Sequence, residues 1–314
     1  MAVRTLVVTT AGTRARRLTK SPTFVGLLFA SPWIVGFLVF QLYPILASAY
    51  YSFTDFNLFQ SPNYVGLENY RELFADERFS KSLFNTLYMT VIGVPLGLLF
   101  ALLCALALNT RSRGQPLYRA VVYLPTVVPI VAATYLWRWL LNAQYGYINV
   151  GLDKLGLGQP LWQEDPLWTK PALVLIGLWT IGGTTVIFLA ALQEVPPSYY
   201  EAAAIDGASW WSKFWNITFP LISPVTLFQL VIGVIFSLQY FTQAYLFAQQ
   251  RLNEPSGGPE DSLLMYGMYL FQNAFVYLDM GYASAMAWIL FLVSLVLTLF
   301  ILRVSSSWVH YGGD

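Results

Sequence analysis

The sequence predicts an all-α membrane protein with six transmembrane helices. Of its 314 residues, 57% are hydrophobic and only 11% are charged, whereas soluble domains carry about 25% charged residues. The mean hydropathy is +0.56. Six apolar runs come close to or exceed the roughly 20 residues that a helix needs to cross the hydrocarbon core. We therefore predict a basic tail over residues 1–22, a membrane domain over 23–304 and a short tail over 305–314.

The six predicted spans are separated by polar segments, and several contain proline. They cover approximately residues 24–50, 83–108, 120–141, 171–192, 220–247 and 281–302. Pro32 and Pro44 predict bends or ends in the first span, because proline removes a backbone donor. Pro125 and Pro129 lie inside the third span.

Two local patterns predict how helices pack. In the polar segment after the first span, apolar side chains recur at helical spacing and predict an amphipathic surface helix: Leu67, Tyr70, Leu73 and Phe74. In the second span, Gly93 and Gly97 form a GxxxG pair, which is typical of closely packed membrane helices.

The distribution of charge predicts the orientation of the chain. Six spans place both termini on one side of the membrane. Residues 1–22, 109–119, 193–219 and 303–314 together hold ten of the basic residues and four of the acids. The opposite segments hold six basic residues and twelve acids. By the positive-inside rule, we predict that both termini and residues 196–219 are cytoplasmic.

Composition also excludes several classes of function. A formal charge of +1 gives no electrostatic footprint for nucleic acid. One histidine, His310, and one cysteine, Cys104, make a His/Cys metal site untenable. The sequence has no GxxxxGK[ST] loop for nucleotide phosphates. The acidic pairs Glu164–Asp165 and Glu260–Asp261 fall in outer loops, so we interpret them as solvated loop residues or as a landing surface for another protein.

One polar segment between two spans has the composition of a docking element. Residues 196–219 read PPSYYEAAAIDGASWWSKFWNITF and carry no catalytic dyad or metal spacing. Glu201 offers a carboxylate, and the small side chains of Ala202 and Ala203 allow another chain to approach. Gly207 permits a sharp change of direction, because glycine tolerates positive φ. The aromatic residues Trp210–Trp215 suit either a protein interface or an interfacial membrane belt.

This segment resembles the cytoplasmic motif of binding-protein-dependent ABC transporter permeases. The motif is EAA, three residues, Gly, nine residues and Ile-x-Leu-Pro, and here Phe219 replaces the leucine. The positions that match the motif or extend it are Glu201, Ala202, Ala203, Asp206, Gly207, Ile217 and Pro220. Further segments resemble the maltose- and glycerol-phosphate-type carbohydrate branch: YVGLENY, FNTLY, YRAVVYLPTVVP, WRWLLNAQYGYIN, GGP and GYASA.

The resemblance implies a type I importer fold with cytoplasmic coupling helices. It implies a second homologous permease, two ATPase subunits and an extracytoplasmic solute-binding protein that delivers a carbohydrate. The chain would be a non-enzymatic subunit of a bacterial or archaeal plasma membrane, in contact with lipid. ATP and magnesium would bind the ATPase, and this chain would bind no cofactor. The residues from 196 to 219 would form two short helices about Gly207.

Several residues are candidates for the substrate pathway. Amide and tyrosine side chains suit sugar hydroxyls and ring faces, and the fifth span carries four of them: Gln229, Gln239, Tyr240 and Gln243. Interhelical hydrogen bonding is the alternative role for them. Tyr123 is a further candidate. Arg138 either contacts substrate or extends to the outer headgroups.

Three other functions stay open at this point. A permease for peptides or amino acids lacks the carbohydrate-type segments. A self-sufficient secondary carrier needs ionisable groups at membrane depth or internal repeats, and neither is evident. A membrane enzyme lacks a nucleophile–base constellation. The sequence departs from the family pattern at Thr242, after Phe241, and in the long stretch 249–256, both of which bear on the substrate.

Overall fold

The computed structural model describes residues 22–110, 113–248 and 257–310, and the predicted basic tail lies almost wholly outside this range. All regular elements in the described part are helices, apart from one bridge between Thr54 and Tyr64. The all-α prediction is therefore confirmed.

In the described part of the chain, four helices are long and apolar enough to cross a membrane. Three of them contain a π-helical turn, and the fourth is α-helical throughout. Helix α1 comprises Pro22–Phe37, the π turn Leu38–Leu42 and Tyr43–Tyr51. Helix α3 comprises Glu77–Tyr88, Met89–Gly93 and Val94–Leu108. Helix α10 comprises Trp210–Lys213, Phe214–Thr218 and Phe219–Leu238. Helix α13, Met280–Ser305, is α-helical throughout.

The three π turns share one cause. Each ends one residue before an X-Pro pair, at Pro44, Pro95 and Pro220. Proline lacks an N–H and its ring crowds the carbonyl four residues earlier, so a regular α-turn is disfavoured there. A local π turn relieves both problems without ending the helix. The long helices therefore stay continuous through their prolines.

Two bent pairs of helices are also long and apolar enough to cross a membrane if each pair is counted as one span. Helices α4, Gln115–Val127, and α5, Ile130–Leu140, meet at 100°, and α7, Pro166–Trp179, meets α8, Gly182–Glu194, at 50°. Val128 is extended at the first break because it precedes Pro129. The structure thus divides the predicted span 120–141 into two helices.

Other boundaries also differ from the sequence prediction. Helix α7 starts at Pro166 rather than at 171, because Asp165 caps it by accepting a hydrogen bond from the Leu167 N–H. Lys170 is therefore inside a helix of the membrane domain. The predicted span 220–247 ends at Leu238 and is followed by a separate helix, α11, Thr242–Ala248.

The remaining helices are short and lie beside the spans. They are α2, Glu68–Ala75; α6, Tyr147–Lys154; α9, Pro197–Ile205; and α12, Tyr266–Phe271, extended by the π turn Gln272–Val276. Helix α2 coincides with the predicted amphipathic helix and buries Leu73, while Leu67 and Phe74 are exposed. Gly281, in the GYASA segment, packs against the chain after α1, where its N–H donates to the Phe56 carbonyl.

The buried side chains form two clusters along the long axes of the spans. One joins the start of α3 to α7, α11, α12 and α13, and it includes Phe79, Leu173 and Tyr266. The other joins the end of α3 to α8 and α10, and it includes Leu102 and Phe188. Along α3 and along α7–α8, a cavity lies between these two packed regions.

Candidate functional site

A cavity of about 690 Å³ lies among α3, α7, α8, α10 and α11. Its walls are mostly apolar, and four of the six predicted pathway residues line it: Gln229, Gln239, Tyr240 and Gln243. Hydroxyls of Thr180, Thr184 and Ser237 add hydrogen-bonding capacity. The aromatic rings of Phe236 and Phe241 also face this space. The lining combines flat apolar faces with neutral hydrogen-bonding groups.

The polar part of the lining coincides with a break in the backbone. Helix α10 ends at Leu238 and α11 begins at Thr242, so Gln239 and Tyr240 lie between two helices. Non-helical backbone at membrane depth is tolerated where it lines a cavity or is buried in protein. The Tyr240 hydroxyl oxygen is buried and lacks a hydrogen-bond partner among the described atoms. The break therefore places hydrogen-bonding side chains around the cavity.

The other two predicted pathway residues are not among those lining this cavity. Tyr123 lies on α4. The backbone of α4 passes so close to Gly182 that any residue larger than glycine at position 182 would clash. Arg138, on α5, has its guanidinium over the Tyr135 ring at 5.8 Å. Four candidates thus converge, and Tyr123 and Arg138 lie elsewhere.

The GxxxG pair has a different role from the predicted one. Gly93 and Gly97 line the cavity, and a Cβ at Gly97 would meet nothing within 4 Å. The close approach of α3 to α10 occurs instead at Gly233, where a Cβ would lie 2.8 Å from Val94. The GxxxG pattern therefore lies on a helix that makes a close contact, but the contact itself is between Val94 and Gly233.

The second notable region is the segment with the EAA motif. Helix α9 carries Glu201, Ala202 and Ala203, and most of its surface is exposed. It ends in a Schellman motif: the Ala208 N–H donates to the Ala203 carbonyl at 2.9 Å, and the Gly207 N–H donates to Ala204 at 3.2 Å. Gly207 has φ +74°, in the left-handed region that favours glycine. Asp206 is the exposed residue before this turn.

The second half of the segment is the start of α10 and not a separate short helix. The Ser209 side chain caps it by accepting from the Ser212 N–H at 3.3 Å. Ile217 lies in the π turn, and Pro220 falls inside the continuous helix Trp210–Leu238 rather than at its first residue. The π turn explains the difference, since it accommodates the proline. A rigid helix thus connects the turn at Gly207 to the cavity.

Tertiary contacts attach α9 to the base of α10. The Tyr200 and Thr218 hydroxyls are hydrogen-bonded at 2.9 Å, and Tyr200 and Phe214 pack against the buried cluster that includes Leu102 and Phe188. Three indoles on the same base are largely exposed: Trp210, Trp211 and Trp215. They contact the ring of Phe214, which leaves their outer faces open for lipid or for a protein partner.

A polar network that the sequence did not predict holds the opposite end of the domain together. The Arg78 guanidinium binds the Asp261 carboxylate through Nε at 2.9 Å and Nη2 at 3.2 Å. The Asn85 amide donates to the carbonyls of Asp261 and Leu264, and Lys170 Nζ donates to Asn85 Oδ1 at 3.1 Å. Asp261 has φ +53°, so these contacts fix a strained turn. Its only signals in the sequence were the FNTLY and GGP segments.

A second carboxylate at this end is held by tyrosines. The hydroxyls of Tyr269 and Tyr282 both donate to Asp76 Oδ2. Partial burial opposes the charge of Asp76, but these bonds and the backbone N–H of Arg78 hold its pKa below the ordinary value. Within the described ranges, no group of three or more His, Cys, Asp or Glu side chains could hold a metal ion.

Comparison with known proteins identifies the family. The family model for the binding-protein-dependent transport system inner membrane component matches residues 93–310. The chain belongs to this family. It is 41% identical over 301 residues to the probable ABC transporter permease protein YesP of Bacillus subtilis, which covers 94% of each chain. It is 32% identical over 292 residues, 92% of each chain, to the sulfoquinovosyl glycerol transport system permease protein SmoG of Agrobacterium fabrum.

A solved structure gives the same fold. A chain of a bacterial ABC transporter involved in the import of the acidic polysaccharide alginate superposes with a TM-score of 0.80 at 26% identity, covering 93% of this chain and 99% of that one. These findings confirm the resemblance to carbohydrate-type ABC permeases and the type I importer fold. This family member is accordingly a multi-pass inner-membrane transport protein.

Proposed function

We propose that this permease is the transmembrane subunit of an ATP-driven carbohydrate importer and forms half of its translocation pathway. The observation that carries the proposal is the continuity of α10. Its base follows the exposed EAA turn directly, its second half carries Gln229, and its far end leads to Gln239 in the cavity. A displacement at the turn is therefore transmitted along one helix to the cavity wall.

The coupling end supports docking to a separate ATPase. Glu201 is exposed and makes no side-chain hydrogen bond to a described residue, so its carboxylate is available to a basic group of a partner. The small side chains of the alanines beside it allow a partner to approach the helix closely. The turn at Gly207 sets the angle between α9 and α10 through two backbone hydrogen bonds. ATP and magnesium belong to the partner ATPase, and the termini and this segment lie on the cytoplasmic side.

The cavity supports a carbohydrate as the solute. Amide groups donate and accept hydrogen bonds to hydroxyls, and aromatic faces cover the C–H faces of sugar rings. The relatives named for sulfoquinovosyl glycerol and for alginate also point to carbohydrate. A second permease completes the pathway, and an extracytoplasmic binding protein delivers the solute. One alginate transporter structure includes a pentasaccharide-bound periplasmic protein.

The test replaces the glycine of the coupling turn. Gly207→Pro removes the N–H that bonds Ala204 and imposes a negative φ, so the angle between α9 and α10 changes. We expect the ATPase to be lost on affinity purification in mild detergent, and carbohydrate uptake into proteoliposomes to be abolished.

Gly156→Pro is the matched control. Gly156 has φ +69° and ends α6 with the same pair of backbone hydrogen bonds, but it lies in the predicted outer loop. We expect this variant to retain the ATPase. Unchanged uptake and assembly in Gly207→Pro would refute the coupling role, and uptake by the isolated chain without ATP would favour a secondary carrier.

A further inference from the structure

Two lysines lie just beyond the cavity on helices that form its walls. On α3, Lys81 and Asn85 continue, at four-residue spacing, the line of Met89, which lines the cavity. On α7, Lys170 lies one turn before Val174, which lines the cavity from the facing side. The spacing therefore puts both lysines at the end of the cavity nearest the network of Arg78 and Asp261.

Buried hydrogen-bond acceptors hold the ammonium group of Lys170 in place. Its Nζ donates to Asn85 Oδ1 at 3.1 Å and to the Ser262 carbonyl at 3.4 Å, and it lies 5.9 Å from the centre of the Tyr88 ring. Asn85 is only 1% exposed and is held by its own bonds to the Asp261 and Leu264 carbonyls. All of these partners are uncharged groups, so none of them is a counter-charge for the lysine.

The two lysines are both close to Asn85, and in the described part of the chain neither is paired with an acid. Lys81 lies one helical turn before Asn85, to which Lys170 donates its hydrogen bond. The neighbouring carboxylate, Asp261, is taken by Arg78 in a two-point contact. Among the residues that the structure describes, neither lysine has a carboxylate within ion-pair distance. Lys170 is half-buried and Lys81 is exposed. Two neighbouring positive charges without a carboxylate favour binding of an anion between them.

We infer that Lys81 and Lys170 form an anion-binding pair at the outer mouth of the cavity, which receives an acidic group of the carbohydrate as it enters. The group is a carboxylate, sulfonate or phosphate on a sugar. This inference rests on the proposed import function and names the substrate class for it. The neutral amides and aromatic rings deeper in the cavity then contact the hydroxyls and ring faces of the same molecule.

The experiment uses the assembled importer with its binding protein in proteoliposomes. The external solution holds matched sugars at equal concentration and constant ionic strength: galacturonate with galactose, sulfoquinovose with glucose, and glycerol 3-phosphate with glycerol, together with digalacturonate and galactobiose. Mass spectrometry identifies what has entered. We expect the acidic member of at least one pair to be imported in preference to its neutral counterpart.

The variants are Lys81→Gln, Lys170→Gln and the double substitution. Glutamine removes the positive charge and keeps a hydrogen-bond donor on a side chain of similar size. We expect the double variant to lower uptake of the acidic sugar about tenfold or more, as loss of hydrogen bonds to a charged group implies. Lys170→Arg restores the charge, and Lys154→Gln, an exposed lysine on α6, is the matched control with wild-type uptake.

The outcomes separate this inference from the function on which it rests. Import of neutral sugars alone overturns the anion site and leaves the importer function intact. Equal losses for acidic and neutral sugars in the lysine variants overturn it as well, since they indicate contact with the binding protein or a structural role. An assembled complex that imports no carbohydrate overturns the proposed function itself.

Discussion

The two ends of the membrane domain hold themselves together in different ways. At the predicted outer end, Arg78, Asn85 and Lys170 tie α3, α7 and the turn at Asp261 together through side-chain hydrogen bonds. At the EAA end, α9 has one such bond to the rest of the described domain, between the Tyr200 and Thr218 hydroxyls, and an exposed carboxylate at Glu201. The network of Arg78, Asn85 and Lys170 satisfies its polar groups within the domain, whereas the Glu201 carboxylate is left free for a partner.

The difference shows where each end obtains its rigidity. Buried hydrogen bonds stabilise the outer turn even though Glu260 and Asp261 both have left-handed backbone. The EAA turn relies on glycine, which adopts the same conformation without strain. A turn that is built without supporting side chains keeps its surface accessible. The following predictions test this contrast, in order of decreasing expected effect.

The largest effect is expected from Asn85→Leu. The substitution leaves the Asp261 and Leu264 carbonyls without their donor and Lys170 without its acceptor, at a cost of roughly 3 kcal/mol in the free energy of unfolding. Thermal unfolding in detergent measures this loss. Asn109→Leu, at the exposed end of α3, is the control and should change little. Equal melting temperatures for Asn85→Leu and wild type would contradict the proposed rigidity of the outer end.

Glu201→Gln is expected to change assembly and not stability. Its carboxylate contacts no described side chain, so the melting temperature of the isolated permease should stay at the wild-type value. Affinity for the ATPase should fall roughly tenfold, since a charged partner loses its counter-charge. Binding of the ATPase to the immobilised permease measures this. Glu194→Gln, exposed at the end of α8, should leave the affinity unchanged; a lower melting temperature for Glu201→Gln would show that it has a structural role instead.

The smallest effect concerns the carboxylate of Asp76. Because its pKa is lowered in the folded state, it stabilises the fold fully above its ordinary pKa, and the contribution is lost as the pH falls through the lower, folded-state pKa. Tyr269→Phe with Tyr282→Phe removes both side-chain donors and should cost about 1 kcal/mol at pH 7.

Melting curves from pH 7 to pH 3 provide the measurement for this pair. The difference between wild type and the double variant should shrink as the solution becomes more acidic. A difference that stays constant over this range would mean that the tyrosines act through packing and not through the charge of Asp76.

Much of the architecture follows from residues that are close in the chain. Apolar runs of membrane length predict the helices, and the spacing of Glu201, Gly207 and Pro220 predicts the coupling segment, because motif and periodicity are local properties. The left-handed conformation of Gly207 is local as well. Side-chain chemistry made four residues of the predicted fifth span candidates for the pathway, with interhelical hydrogen bonding as the alternative role. All four line the cavity: Gln229, Gln239, Tyr240 and Gln243.

Only the tertiary structure decided which distant residues meet. Arg78 and Asp261 are 183 positions apart, and nothing in the sequence pairs them. The continuity of α10 through Pro220 depends on a π turn, and the break of the third span depends on the extended conformation of Val128 before Pro129. Tertiary packing likewise decided that Tyr123 and Arg138 do not line the cavity. A helical pattern gives the faces of each helix, whereas packing alone determines which face meets which neighbour.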